Sequence, residues 1–255
     1  MKISIVTLSF NQRVYLKEAI DSVLSQSYPD LEYIIVDPGS SDGSRQLISS
    51  YGDQITARIF EPDCGAADGL NKAFSLATGE VYGFLNADDI LLPGSLNHVA
   101  EFFRAHPEWD MAMGDGFKID GRGRRIRHYV ARDFSVRRFF YGGTQWLQQS
   151  TFFRAAVFQR SVRFNIENRT SWDGEFFLNL AKQGAKIGYI HADLAGFRIH
   201  EESISGSGRM NGQYQRDCKR IFRQLVGREW RVTDEALRLL YRAEGLLKRM
   251  SARMQ

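Results

Sequence analysis

The sequence predicts an α/β protein with a mostly parallel central sheet flanked by helices and a C-terminal helical extension. Short β-rich runs alternate with helical patterns over the first ninety residues, which is the signature of βαβ units. Polar residues gather at the carboxyl ends of those runs, where open sheets of this kind bind ligands. From Met210 the pattern changes to two amphipathic helices.

The elements follow in order. Lys2–Ser9, Leu31–Asp37, Thr56–Glu61 and Val81–Asn86 are the expected strands. Helical stretches lie near Tyr15–Gln26, Ser44–Tyr51 and Gly69–Ala77, with another near Gly94–Ala105. Beyond Met111 the run MGDGFKIDGRGR carries Gly and Asp-Gly punctuation, which predicts a hairpin turning at Gly121–Gly123. Gln149–Arg154, a helix near Gly174–Gln183, a strand near Ile187–His191 and the segment FRIH form a second half that completes the cleft. In the last helix Ala236, Leu240, Ala243, Leu247 and Met250 recur at helical spacing, with Arg238, Arg242 and Arg249 off that line.

A chain of 255 residues, 43% of them hydrophobic, supplies a sizeable core, so disorder of the whole chain is excluded. Its net charge of +4 is unevenly placed: residues 209–255 hold twelve Lys/Arg against five Asp/Glu, a local +7, which leaves −3 on the body before them. Two cysteines, Cys64 and Cys218, make neither a disulfide framework nor a thiolate metal cluster, and point to a reducing compartment. The opening ISIVTLSF is too short to span a bilayer and carries no cleavage signal, so it reads as a buried strand. A cytoplasmic location is expected, with any membrane contact peripheral and at the inner face. Sparse aromatics in the basic tail argue against nucleic acid.

The sharpest motif is FLNADD, an apolar strand ending in the adjacent carboxylates Asp88 and Asp89. Two such groups suit a hard divalent cation set against a phosphate; an acidic turn or helix cap is the other reading. In IIVDPGSSDGS, Asp37 ends a buried strand before a small-residue turn, and either accepts bonds from a nucleoside or belongs to an ordinary βα loop. Asp68 and Lys72 stand near the start of the next helix, Lys72 a phosphate partner or a solvated lysine. Asp173 precedes an amphipathic helix and is a candidate general base or a helix cap. His200 of FRIH is a candidate contact to metal or diphosphate, or a structural histidine.

In this order the segments IVTLSFN, SVLSQSYPDLEYIIVDPGSSDGS, GLNKAFSLATGEVYGFLNADD and WDGEFFLNLAKQG resemble the inverting glycosyltransferase family 2, over roughly Lys2 to Ser205. The resemblance implies a GT-A fold. It implies a catalytic domain over 1–208, with a nucleotide-sugar and metal half (1–115) and an acceptor half (116–208), followed by the basic tail 209–255. It implies a nucleoside-diphosphate sugar donor contacted by Thr7, Asp37, Asp68, Lys72 and Asp88. A divalent ion, Mn2+ or Mg2+, is implied on Asp88 and Asp89, with His200 as a contact to the metal or the diphosphate, and Asp173 as the base that activates a glycan or lipid-linked acceptor. The sequence departs from the family at Pro38, Asn86, Gly69-Leu70 and Trp172; an apolar neighbour before Asp173 is expected to raise its pKa if it is buried. The tail is expected to lie on an anionic membrane, or to pack on the body or a second subunit. Rival functions are a nucleotidyltransferase, whose glycine-rich loop SFNQRV does not supply, and a catalytically silent nucleotide-binding subunit.

Overall fold

Apolar runs bounded by turn residues become strands, and the periodic stretches between them become helices. The computed structural model describes residues 1–160 and 163–252, and the side chains of 204 and 245–252 lie outside that description. The first half runs β1 (Ile3–Leu8), α1 (Arg13–Leu24), β2 (Leu31–Val36), α2 (Ser44–Ser50), β3 (Ala57–Ile59), α3 (Ala66–Leu76), β4 (Val81–Asn86). The chain continues through β5 (Ile90–Leu91), α4 (Ser95–Ala105), β6 (Met111–Ile119), β7 (Arg125–Tyr129), α5 (Val136–Tyr141), β8 (Thr151–Arg154) and α6 (Ala155–Gln159). It ends with α7 (Trp172–Lys182), β9 (Ile187–Arg198), α8 (Ile204–Ser207), α9 (Asn211–Val226) and α10 (Val232–Ala252).

One sheet carries these strands in the order β3-β2-β1-β4-β8-β6-β9-β5, with β7 added on β6. Strands β3, β2, β1 and β4 are parallel, β8 is antiparallel to both its neighbours, and β6 pairs parallel with β9. Alternation along the strands sends Val6, Ile34 and Phe84 to a core shared with α3, α7 and α9, and Ile5, Ile35 and Leu85 to one shared with α1 and α4. Aromatic rings dominate the first of these; Phe164 and Phe176 stack at 4.1 Å between centroids.

The expected strand near Ile187–His191 is longer than its apolar run, because β9 continues to Arg198. Its pairing with β6 shifts register on either side of Asp115, and the polar residues at that irregularity mask the strand pattern. This extra length carries Arg198 to the carboxyl end of the sheet.

The helical extension shares the core of the body. Ile221, Phe222 and Leu225 of α9 are buried, and Asp217 is buried beneath a 2.6 Å bond from the Thr170 hydroxyl. Helix α10 docks through Asp234, which accepts from the Tyr141 hydroxyl at 2.6 Å and pairs with Arg228. Its predicted stripe faces outward: Ala236, Leu240 and Ala243 are exposed, while Tyr241 stacks on Tyr141. Leu247 and Met250 of that stripe lie outside the described side chains. Among the described residues no helix is long and apolar enough to cross a membrane.

Candidate active site

Strand ends β1, β2 and β4 and the amino end of α7 meet around a cavity of about 970 Å³, a volume suited to a nucleotide-sugar. Ser9, Pro38 and Asp88 line one side, Trp146 and Asp173 another, and Arg169 and Arg209 also line it. Placing the polar residues at strand ends spares the strands themselves, whose backbone groups are satisfied in the sheet.

The acidic loop after β4 separates its two carboxylates. Asp88 faces the cavity, and its Oδ2 lies 3.1 Å from His200 Nε2. Asp89 is fully buried. It accepts from the Arg198 backbone N–H at 2.8 Å, from Gln149 Nε2 at 2.6 Å and from Asn86 Nδ2 at 3.1 Å. Burial, joined by repulsion from Asp88, holds the Asp89 carboxyl well above the usual carboxylate range. Beneath the loop the buried Arg198 donates to the Asp88 carbonyl at 2.7 Å and pairs with Glu18 at 2.7 Å, its guanidinium over the Tyr15 ring. The His200 ring rests on Tyr15 as well, 4.6 Å between centroids. In FRIH the arginine thus fixes the loop's backbone and the histidine meets its cavity-facing carboxylate.

Asp173 opens α7 and lines the cavity from the other element. Burial pushes its carboxyl up to about 6, against a 2.7 Å bond from the Gly174 N–H that favours the charged form. The direction is the one expected from Trp172, which packs its ring with Phe84 and Phe164 beside it.

Other predicted residues lie behind the walls. Thr7 is buried in β1 with its hydroxyl 2.9 Å from that of Tyr33. Asp37 is fully buried and accepts from Ser9 Oγ at 3.0 Å, the Gly39 and Ser40 N–H groups at 3.1 and 2.8 Å, and Arg45 Nε at 3.2 Å. Asp68 and Lys72 pair with each other at 3.2 Å; Asp68 accepts from the Cys64 N–H and Lys72 donates to the Pro62 carbonyl, clamping the turn that lines the cavity.

Among the described residues no three His, Cys, Asp or Glu side chains converge to hold a metal ion, so Asp88, Asp89 and His200 do not form one three-ligand set. Asp89 is turned to protein donors. A Mg2+-like ion binds through one or two protein oxygens together with phosphates and water. Asp88, open to the cavity and adjoined by the His200 nitrogen, fits that mode.

Arg169 and Arg209 are cavity residues that the sequence does not single out. Arg169 donates to the Cys64 carbonyl from the aperiodic loop before α7, and Arg209 reads as one more charge of the tail. Gln149 belongs to an expected segment, but its bond to Asp89 spans 60 residues and has no local signal.

A mostly parallel sheet whose carboxyl ends hold an acidic loop across a nucleotide-sized cleft from a half-buried carboxylate is the architecture of a GT-A glycosyltransferase. The sequence profile of Glycosyl transferase family 2 matches residues 4–198, and the chain belongs to that family. It is 41% identical over 107 residues to the uncharacterized glycosyltransferase alr2836 of Nostoc sp., a match covering 41% of this chain and only 33% of that protein's length. It is 28% identical over 199 residues to the PGL/p-HBAD biosynthesis glycosyltransferase of Mycobacterium bovis, covering 76% of this chain and 75% of that one. Two solved structures share the fold. S. aureus TarS 1–349 in complex with UDP-GlcNAc gives a TM-score of 0.70 at 20% identity, covering 88% of this chain and 65% of that one. Mannosyltransferase PcManGT of Pyrobaculum calidifontis, in complex with GDP-Man and Mn2+, gives 0.65 at 16%, covering 95% and 68%.

Proposed function

We propose that this glycosyltransferase moves a hexosyl or N-acetylhexosaminyl group from a nucleoside-diphosphate sugar to an acceptor hydroxyl with inversion, in assembly of a cell-surface glycan or lipid-linked oligosaccharide. One observation carries the reading: Asp88 and Asp173 line the same cavity from different elements, and burial has raised Asp173 toward the range of a working base. Asp173 takes the proton from the acceptor hydroxyl as its oxygen bonds to the anomeric carbon and the bond to the diphosphate breaks on the opposite face. A divalent ion on Asp88 and His200 would neutralise charge on the leaving diphosphate. Arg198 and Asp89 hold the loop that presents Asp88; Asp37 and Thr7 shape the floor beneath the donor, and Asp68 with Lys72 fixes the turn beside it. The UDP-GlcNAc of TarS and the GDP-Man and Mn2+ of PcManGT support a donor and ion of these kinds. The arginine-rich extension, with an exposed apolar stripe, supports a place at the cytoplasmic face of a membrane.

The test is a thermal-shift panel of UDP, GDP, dTDP and CMP, with and without Mn2+ or Mg2+, followed by NMR assignment of the product anomer. A metal-dependent shift with one nucleoside diphosphate, and an inverted product, is expected. No shift with any of them moves the chain to a catalytically silent assembly role, and a retained anomer excludes single displacement.

A further inference from the structure

Outside the catalytic cleft a second cavity, of about 190 Å³, opens between the β7 edge strand, the segment after α5 and α10. Four arginines line it: Arg127, Arg132, Arg138 and Arg242. Against them stand the Glu244 carboxylate, 3.3 Å from Arg138, and Asp133, 3.5 Å from the same guanidinium. Four guanidinium groups thus meet two carboxylates, and the charge of the described lining is positive. Like charges gathered in one small concavity repel each other, and an anion drawn in from solvent relieves that repulsion.

The cavity is built by close approach of backbone. Gly142 takes a left-handed conformation at φ 78°, and a Cβ on Gly143 would stand 2.7 Å from the Tyr241 ring, so a side chain at 143 would collide with that ring. Arg132 and Gln145 are bridged by reciprocal backbone bonds of 3.0 and 3.3 Å, which fix the far wall. Residues 143–145 line this cavity, and the next four, Trp146 to Gln149, line the catalytic cleft. Consecutive residues of one short stretch of chain thus line both cavities.

We infer that this cavity is a phosphate-binding subsite, which holds a phosphate group of the acceptor outside the cleft while the acceptor's hydroxyl reaches Asp173. Several guanidinium groups satisfy the several oxygens of one phosphate, and charge-assisted bonds of that kind are the strongest available to a half-exposed site. The volume admits a phosphate or diphosphate and excludes a nucleotide-sugar, which separates this site from the donor's. The phosphate-binding claim stands on the cavity alone, while its assignment to the acceptor rests on the transfer reading above.

Inorganic phosphate titrated into the whole 255-residue chain in EDTA, followed through the backbone amides of Gly143 and Thr144, tests the site directly. Saturable shifts are expected, and Arg127→Gln/Arg242→Gln should bind at least about tenfold more weakly, the loss of one charge-assisted bond. Both replaced side chains are exposed, so the fold is kept. Equal binding by the two proteins, or none by the wild type, overturns the proposal. Flotation with phosphatidylcholine vesicles containing phosphatidic acid distinguishes the source. Flotation lost in the double variant assigns a lipid-borne phosphate, and flotation absent or unaltered assigns a soluble phosphate-bearing acceptor. Stabilisation by a nucleoside diphosphate with Mn2+ is expected in both proteins; its absence from both would sink the transfer reading and leave the phosphate site standing.

Discussion

Both terminal nitrogens of Arg220 donate to the two carboxylate oxygens of Glu175, at 2.7 and 2.6 Å. Glu175 is 2% exposed and accepts from Asn165 and Asn168 as well; burial alone would raise its pKa, and these partners hold it below the usual range. The fork joins α9 to α7 two residues from Asp173, so the extension steadies the helix that carries the proposed base.

Removing the guanidinium leaves a buried carboxylate with neutral partners only. Arg220→Ala is expected to cost about 3 kcal/mol in urea unfolding, with Arg220→Lys intermediate because lysine lacks the fork. A loss below about 0.5 kcal/mol, typical of a surface pair, would show that the fork does not anchor the helix.

A chain ending at residue 208 loses the buried Ile221, Phe222 and Leu225. At about 1.5–3 kcal/mol for each apolar side chain, that loss matches much of a domain's net stability. The truncated protein is expected to be insoluble or unfolded by circular dichroism, and a cooperative melt near that of the full chain would contradict the shared core.

Asp173 binds its proton more tightly folded than unfolded, because its folded pKa is about 6 against 3.8. The charged form therefore subtracts stability, increasingly as pH rises from about 4 to about 6 and fully above that. Asp173→Asn keeps an acceptor for the Gly174 N–H and is expected to melt higher than wild type at pH 8 and level with it at pH 3.5. Its kcat should fall by about 10²- to 10⁴-fold, and wild-type kcat/KM should rise with pH through about 6. Equal melting at pH 8 would refute the burial of this charge; undiminished kcat would refute its role.

The two neighbouring aspartates should respond oppositely. Asp89→Ala strands three donors in a buried site and is expected to lower stability by about 2–3 kcal/mol. Asp88→Ala loses a single partner, His200, and should cost less stability than Asp89→Ala while abolishing the metal-dependent shift with nucleoside diphosphate. Matching melting curves for the two variants would dissolve the distinction between a supporting and a ligand-facing carboxylate.

Most of the frame was legible from residue order. Strand β4 ends where FLNADD implies, and the first four strands and helices fall within a few residues of their apolar and periodic runs. Family likeness reached the elements that bear Asp88, Asp173 and His200. What it did not reach was which side chains meet the cleft: Asp88 and Asp89 are equivalent as letters, and only bonds from Arg198 and Gln149, more than fifty residues downstream, turn one inward. The same holds for the tail, where α9 and α10 are both amphipathic and basic. One buries its apolar face on α7, and the other leaves the predicted stripe in solvent because Asp234 and Tyr241 anchor its opposite side.

At the end of β2, four hydrogen bonds that shape the turn terminate on Asp37, while the neighbouring Pro38 faces the cavity and has no backbone donor to contribute. Shape and surface are therefore carried by adjacent but different residues. The side chain at position 38 can be exchanged while the turn keeps its form, so the surface of this wall is open to single substitutions that folding does not oppose.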